Sequence, residues 1–153
     1  MKEYPLKTVV ICDLDGTLCD VDHRRHLVMG DRKYFDEFNA ALVHDNIRQV
    51  TMDLLKEYMS IGKTIVFLSG RSERYRQSTV EWLEKNGLKD KYEFLDMRPD
   101  DDSRPDDVLK EQIFHSHFTV DQIYKVIDDR PKVVRMWQRL GLDVIDVGDG
   151  IDF

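Results

Sequence analysis

The stretch VVICDLDGTLCD, residues 9–20, carries an apolar run into two carboxylates. Asp13 and Asp15 follow the run directly, and a glycine and a threonine come after them. A short, continuously apolar run with β-branched side chains is typical of a strand that is buried on both faces of a parallel sheet. The two acids at its end form either an acidic strand cap or a metal-assisted site for phosphate.

Apolar runs and amphipathic stretches alternate through the rest of the chain. We predict strands at residues 8–12, 64–68, 92–95, 122–127 and 143–147. We predict helices at residues 46–60, 72–86, 105–114 and 131–140, with Ser72 as the N-cap of the second. Strands that alternate with helices indicate an α/β fold with a central parallel sheet and crossover connections.

Residues 19–45 form a long insertion between the first strand and the first core helix. A short helix is predicted over residues 32–42, and the aromatic residues of YFDEF favour an ordered cap over a disordered loop. Since a chain of this length can fill one core, we expect a single domain over residues 1–153 that includes this small cap.

Composition indicates a globular protein outside the membrane. Hydrophobic residues make up 41% of the chain and charged residues 35%, as in ordinary globular proteins. No apolar run approaches the roughly 20 residues that cross a bilayer, and the N-terminal MKEYPLK lacks the apolar core of a signal peptide. We therefore expect a cytoplasmic protein without membrane partners. The net charge of −7 argues against broad binding to a polyanion, although arginines cluster in DHRRH and GRSERYR.

Polar residues follow the predicted strands at their carboxyl ends, where ligands gather in open α/β sheets. SGR, residues 69–71, follows the second strand, and DDR, residues 128–130, follows the fourth. Lys110 lies in the helix that leads toward the fourth strand. Carboxylates suit Mg²⁺, and a carboxylate can attack phosphorus while an ammonium and a hydroxyl stabilise the developing charge. The sequence therefore predicts Mg²⁺-dependent phosphoryl transfer.

DLDGT, SGR, the lysine and IDDR, in this order, resemble the four motifs of the haloacid dehalogenase (HAD) phosphatase superfamily. The resemblance implies a Rossmann-like three-layer fold with a small helical cap inserted after the first strand. It also implies that Asp13 is the nucleophile and that Asp15 is the general acid and base. Mg²⁺ would be held by Asp13, the backbone carbonyl of Asp15 and Asp128, and Asp129 would support the site as a further catalytic residue.

The same resemblance implies which groups bind the substrate phosphate. Ser69 and Lys110 would contact the phosphoryl oxygens, and Gly70 belongs to the same SGR motif as Ser69. Thr17 would take part in the glycine-containing turn that exposes backbone N–H groups. We therefore expect these residues to surround the nucleophile.

A closer resemblance is to the 3′-phosphatase domain of bacteriophage polynucleotide kinase-phosphatase. It is carried by RPDDVLKEQIF, by VIDDRPKVVRMWQRLGLDVIDV and by the arginine-rich stretch after the second strand. The resemblance implies that Arg24, Arg71 and Asp106 also bind the substrate. Asp106 and Lys110 stand one helical turn apart, so we expect them to meet on one face of their helix.

These resemblances imply an enzyme that removes a 3′-phosphate from polynucleotide ends or nucleotides through an aspartyl-phosphate. A separate kinase or ligase is a candidate partner. Two other readings stay open: a small-molecule nucleotidase or sugar phosphatase, and a catalytically idle binding module on the same scaffold. The sequence does not decide between DNA, RNA and free nucleotides, and it does not fix the oligomeric state.

Overall fold

The apolar runs of the sequence form a five-stranded parallel sheet in a computed structural model that describes residues 3–153. In chain order the strands are β1 Val9–Cys12, β2 Cys19–Asp20, β3 Asn46–Ile47, β4 Thr64–Ser72, β5 Phe94–Arg98, β6 Ile123–Asp128 and β7 Val144–Asp146. The sheet has the order β5-β4-β1-β6-β7, and all of its strand pairs are parallel. The predicted α/β class with a central parallel sheet is confirmed. Residues 1 and 2, which belong to the predicted domain, lie outside the described residues.

Helices cover both faces of this sheet. In chain order they are α1 Phe35–Ala40, α2 Gln49–Ser60, α3 Arg76–Lys85, α4 Asp106–His117 and α5 Pro131–Arg139. Val10 and Cys12 of β1 pack with buried side chains of α2 and α3, whereas Val9 and Ile11 pack with those of α4 and α5. Because successive side chains of a strand point to opposite faces, the continuous apolar run of β1 serves both layers. The result is the predicted three-layer arrangement.

Tertiary pairing moved several predicted boundaries. The helix predicted from residue 46 begins at Gln49, because residues 46 and 47 form β3 and pair antiparallel with β2. The strand predicted at residues 92–95 is shifted to β5, where Phe94 is the register partner of Val66. The ring of Tyr92 instead packs edge-on against Phe67, with ring centroids 5.3 Å apart.

The start of the second predicted helix was wrong. Strand β4 continues to Ser72, a 3₁₀ turn occupies Glu73–Tyr75, and α3 begins only at Arg76. Ser72 precedes the 3₁₀ turn and its side chain makes no capping hydrogen bond. The pairing of Ser72 with Arg98 of β5 extends the strand past the point where propensity predicted a helix.

The insertion between β2 and β3 is the predicted small cap. It contains the 3₁₀ turn Arg25–Val28, then α1, then the 3₁₀ turn Ala41–His44, so its α-helix is shorter than the predicted residues 32–42. Three of its apolar side chains enter the same core cluster as α2 and α3, namely Val28, Phe38 and Leu42. Burial of these side chains fixes the cap over the carboxyl end of β1. None of the helices in the described part of the chain is long and apolar enough to cross a membrane.

Candidate active site

The carboxyl ends of β1, β4 and β6 meet at one edge of the sheet. Strand β1 lies between the other two, and the N–H of Asp13, just beyond β1, donates to the carbonyl of Ile127 at 3.1 Å. The chain crosses to β4 on one side of β1 and later to β6 on the other, which makes this edge a topological switch point. Ligands of doubly wound folds bind at such points.

Lys110 and three carboxylates form what we call the lysine centre: Asp13, Asp128, Asp129 and Lys110. The Nζ of Lys110, on α4, donates to Asp13 Oδ1 at 2.8 Å and lies 3.3 Å from Asp128 Oδ2. One oxygen from each of the three carboxylates lies within 4.8 Å of the others. All four residues are buried, so this charge cluster is largely shielded from solvent.

Neutral donors complete the lysine centre. The hydroxyl of Thr17 lies 2.9 Å from Asp13 Oδ2 and 2.8 Å from Asp129 Oδ1. It carries a single proton and can donate to only one of them at a time. The indole Nε1 of Trp137 donates to Asp128 Oδ2 at 3.1 Å. Sequence reasoning predicted the acids, the lysine and Thr17 at this site but missed Trp137, whose position on an apolar helix face indicated only a core residue.

The lysine centre has too little positive charge for its acids. Burial raises the pKa of Asp128, Lys110 opposes this and Asp13 adds to it. The pKa of Asp129 is also raised, first by burial and then by Asp13 and Asp128. Burial works against the charged form of Lys110, but Asp128 and Asp13 outweigh it and raise the lysine pKa. Oxygen ligands of this kind and number fit a hard divalent cation, which would supply the missing charge.

Asp15 lies in a different environment, the arginine centre, which consists of Asp15, Asp45, Arg24 and Arg71. Arg71 donates to Asp15 Oδ1 through Nε at 3.0 Å and Nη2 at 2.6 Å, and Arg24 Nη2 donates to the same oxygen at 2.6 Å. Arg24 also donates two hydrogen bonds to the Asp45 carboxylate, from Nε at 2.8 Å and from Nη2 at 2.7 Å. Two carboxylates thus face two guanidinium groups.

The arginine centre keeps Asp15 ionised. Burial favours the neutral acid, but the charges and hydrogen bonds of Arg71 and Arg24 outweigh burial and hold the pKa of Asp15 well below its usual range. The Asp15 side chain is not one of the three carboxylates of the lysine centre. The metal role predicted for Asp15 concerns its backbone carbonyl only. Its side chain accepts hydrogen bonds from Arg24 and Arg71.

Asp45 is a site residue that sequence reasoning missed. It is the last residue of the cap, directly before β3, and its side chain is fully buried. Its backbone carbonyl accepts from the indole of Trp82 at 3.0 Å. His23 Nε2 lies 2.6 Å from its Oδ1. The sequence VHDN around it gives no signal of a site, because the partners of Asp45 come from distant segments.

Asp106 pairs with arginines rather than with Lys110. Its carboxylate accepts from Arg98 Nη2 at 2.5 Å and from Arg130 Nη1 at 2.7 Å, while Lys110 points to the lysine centre. Asp106 and Lys110 make no direct ion pair within the described residues, but their charges still interact, because Lys110 is among the causes that lower the pKa of Asp106. A Cβ at Gly70 would lie 2.3 Å from Asp106 Oδ1, so only glycine allows this approach to the end of β4.

Two further positions show how tightly the strand ends pack. Gly16 has φ +82°, and a Cβ there would lie 2.1 Å from Asp129 Oδ2. The Oγ of the buried Ser69 accepts the N–H of Arg71 at 3.1 Å, which holds the turn at the end of the SGR motif. Gly16 therefore leaves the space that the Asp129 carboxylate occupies, and Ser69 holds the backbone at Arg71.

An open cleft of about 570 Å³ lies over these residues. Of the predicted site residues, Asp13, Asp15, Gly70, Arg71 and Asp106 line it. Lys110, Asp128, Thr17 and Ser69 are almost fully buried and reach the site from within the fold, and Arg24 does so from the cap. Asp13 and Asp15, the two acids of the DLD motif, therefore face the cleft where the two centres meet.

Comparison with known proteins identifies the family of this chain. The family model of the polynucleotide kinase PNKP phosphatase domain matches residues 7–153. A candidate bifunctional polynucleotide kinase/RNA ligase of Autographa californica nuclear polyhedrosis virus is 35% identical over 138 residues, which make up 89% of this chain and 18% of the viral protein. A chain of the Pnkp1/Rnl/Hen1 RNA repair complex is 31% identical with a TM-score of 0.78, and the match covers 97% of this chain and 45% of that one.

A more distant structure shares the fold. It is a HAD family enzyme from Bacteroides thetaiotaomicron in complex with magnesium and inorganic phosphate, with 15% identity and a TM-score of 0.59. The match covers 96% of this chain and 97% of that enzyme. By contrast, the chain spans less than half of the length of either of the two more similar relatives.

Proposed function

The chain belongs to the family of polynucleotide kinase PNKP phosphatase domains, which are phosphatases of the HAD type, and we propose that it removes phosphate from polynucleotide 3′ ends with the help of Mg²⁺. The observation that carries the phosphatase assignment is the lysine centre, where three buried carboxylates share one ammonium at a topological switch point. The 3′-end specificity is supported by the motif resemblance and by the family. A strand-capping role for Asp13 alone would not explain a buried lysine beside it.

In the proposed reaction, a carboxylate oxygen of Asp13 attacks phosphorus and the bond from phosphorus to the sugar oxygen breaks. Lys110 orients Asp13 through its 2.8 Å hydrogen bond. The leaving oxygen takes a proton from Asp15. Water then attacks the phosphorus of the aspartyl-phosphate, Asp15 accepts the proton of that water, and inorganic phosphate leaves with Asp13 regenerated.

Asp15 is ready for the second half of this cycle, in which it acts as a base. For the first half it must carry a proton, which the two arginines oppose. Both arginines are anchored elsewhere, Arg24 by Asp45 and Arg71 by the hydroxyl of Thr79 at 3.1 Å. We therefore propose that the Asp15 side chain, which is 14% exposed, turns away from the arginines to deliver the proton.

The residues of the lysine centre fit Mg²⁺. Asp13, Asp128 and the backbone carbonyl of Asp15 would hold the ion, with Asp129 next to it, and the ion would neutralise charge on the phosphate. The positive charge of the ion would offset the burial and the mutual repulsion of the carboxylates, which together raise the pKa of Asp128 and Asp129. A distant HAD structure that contains magnesium and phosphate supports this assignment.

The relatives also support partners for this domain. One is a candidate kinase and RNA ligase in a single chain, and the other belongs to an RNA repair complex. We propose that this phosphatase acts together with a kinase or ligase activity on the same broken ends. The proposal for the whole protein rests on these relatives, whereas the proposed chemistry rests on the lysine centre.

A substrate panel tests the proposed function. Phosphate release is measured with Mg²⁺ from 3′- and 5′-phosphorylated oligonucleotides of DNA and RNA, from free 3′-nucleotides and from a sugar phosphate. We expect the 3′-phosphorylated oligonucleotides to have the highest kcat/KM, with no turnover by Asp13→Asn.

Each of the other results has a definite meaning. Turnover of free nucleotides or sugar phosphate alone would replace the end-processing proposal with a small-molecule phosphatase. No turnover of any of these esters by the wild-type protein, with Mg²⁺ bound, would favour the idle binding module.

A further inference from the structure

The cap places an exposed aromatic ring at the rim of the cleft. Phe35, the first residue of α1, lines the cleft and is 57% exposed. One turn later on the same helix, Phe38 is 6% exposed and packs under the guanidinium of Arg24 at 4.2 Å. Packing therefore accounts for Phe38 but leaves most of the Phe35 ring open to a ligand.

The cleft that Phe35 lines also contains cationic side chains of the chain surface. Lys33, Arg74 and Arg104 line the same cleft. Lys33 has no hydrogen-bond or ion-pair partner within residues 3–153. The side chain of Arg74 is 50% exposed and has only loose ion pairs with exposed carboxylates, with Asp36 at 3.4 Å and with Asp100 at 3.7 Å. Arg104 is paired with Asp102 at 2.6 Å, so Lys33 and Arg74 are the cations of this group that are available to a ligand.

The cleft is larger than the reaction needs. Its volume of about 570 Å³ lies in the range of pockets that enclose whole organic ligands. The reacting phosphate would occupy only the end near Asp13, so the remaining space can hold the group that carries the phosphate. The exposed ring of Phe35 and the cations that line the cleft would suit a group that has a flat aromatic face and further negative charge.

We propose that Phe35, Lys33 and Arg74 form a strand-binding subsite for a single-stranded nucleic acid. In this subsite the base next to the reacting phosphate stacks on the Phe35 ring, and Lys33 and Arg74 neutralise the adjoining backbone phosphates. Aromatic stacking accepts every base, because each base has a π-face, and it suits an enzyme that acts on ends of any sequence. This inference rests on the proposed function, because it concerns how the same active site holds its substrate.

The first test compares the wild type with Phe35→Ala on three substrates. These are a 3′-phosphorylated oligonucleotide, the same oligonucleotide with an abasic terminal nucleoside, and glycerol phosphate, which has no ring. We expect Phe35→Ala to raise KM for the normal oligonucleotide about tenfold with little change in kcat. KM for the abasic oligonucleotide and for glycerol phosphate should not change.

Two variants serve as controls. Phe35→Trp keeps a stacking face and should restore the low KM. Val43→Ala removes another exposed apolar side chain of the cap, 47% exposed and not part of the cleft lining, and should behave as the wild type. Thermal unfolding of each variant shows whether the fold is intact, and glycerol phosphate turnover shows whether the catalytic centre is intact.

The second test addresses the cations through salt dependence. Binding to a single strand weakens with salt by about 0.7 in log–log slope for each phosphate that a protein neutralises. We therefore expect Lys33→Gln and Arg74→Gln each to lower the salt slope of log KM for the oligonucleotide by about 0.7. The slope for glycerol phosphate should stay unchanged.

The outcomes separate this inference from the proposed function. If the wild type hydrolyses the oligonucleotide and Phe35→Ala leaves its KM unchanged, the subsite is wrong and the proposed function stands. An equal rise in KM on all three substrates would also overturn the subsite, because it would make Phe35 a support of the catalytic centre. A wild type that ignores the oligonucleotide but hydrolyses glycerol phosphate would overturn both.

Discussion

Asp13 and Asp15 stand two residues apart just beyond the end of β1, yet the numbers of acidic and basic groups around them differ. In the lysine centre, three carboxylates share one ammonium, and the pKa of Asp128 and of Asp129 is raised. In the arginine centre, two carboxylates face two guanidinium groups, and the pKa of Asp15 is lowered. The lysine centre therefore has more carboxylates than cationic groups, whereas the arginine centre has equal numbers of both.

This difference indicates which centre takes up a cation. Buried carboxylates need compensating positive charge, and a site that does not contain it favours a metal ion. A second group of possible ligand atoms consists of the two acids of the arginine centre, Asp15 and Asp45, and the neighbouring Cys19. The two acids are already paired with arginines, and burial raises the pKa of the Cys19 thiol, which favours its neutral form. This group therefore does not favour binding of a cation.

Substitution of the two acids of the DLD motif should have the strongest effect on activity, and a different effect at each position. Asp13→Asn should abolish turnover, by about 10⁴-fold or more, because the nucleophile is lost. Asp15→Asn should lower turnover of an alkyl phosphate by about 10²–10⁴-fold, because proton transfer is lost. With p-nitrophenyl phosphate, whose leaving group needs no proton, Asp15→Asn should still give a burst of nitrophenol and a trapped phosphoenzyme. A burst from Asp13→Asn instead would show that the roles are assigned wrongly.

The next effect concerns the balance of the arginine centre. Asp45→Asn removes one buried carboxylate and leaves Arg24 partly uncompensated, which should lower the free energy of unfolding by about 3 kcal/mol and Tm by about 6–12 °C. Differential scanning calorimetry measures this. Asp53→Asn, in an exposed helical position, is the matched control and should shift Tm little. Equal Tm values for the two variants would contradict a structural role for Asp45.

Metal binding should stabilise the protein through the lysine centre and not through the arginine centre. Mg²⁺ at roughly 100 times its Kd should stabilise the folded chain by about 2.7 kcal/mol and raise Tm by about 5–10 °C. Asp128→Asn should remove most of this rise, since it removes a proposed ligand. Asp45→Asn should keep the rise, because its charge lies in the other centre. A Tm that does not respond to Mg²⁺ in the wild type would refute the metal assignment.

The smallest expected effect is the pH dependence of the metal-free protein. The raised pKa of Asp129 means that the folded state holds its proton more tightly than the unfolded state, so its contribution to stability falls as pH rises above about 4. The lowered pKa of Asp15 has the opposite sign, because its contribution is present above about pH 4 and is lost in acid.

Thermal scans with a chelator measure both signs. Between pH 5 and pH 9 Tm should fall by a few degrees, and Asp129→Asn should flatten that fall. A fall of the same size in Asp129→Asn would mean that other groups cause it.

Much of the fold could be predicted from the sequence, because the evidence for each element is local. The run VVIC predicts a doubly buried strand, and Pro131 marks the start of a helix at the position where its missing N–H does no harm. Predictions failed where pairing with a distant segment outweighed local preference. Residues 46 and 47 joined β2 instead of α2, and Ser72 stayed in β4 instead of capping a helix.

The chemical groups of the site can be read from the amino-acid sequence: a strand that ends in DLD, a second that ends in SGR, a lysine, and a third strand that ends in DDR. Parallel strands bring their carboxyl ends to one edge, so the meeting of these groups followed from the pattern. Only the tertiary structure decided how the charges divide between them. Asp45, Arg24 and Trp137 come from segments far apart in the chain, and the pKa of a buried acid depends on which charges surround it, whatever their distance in sequence.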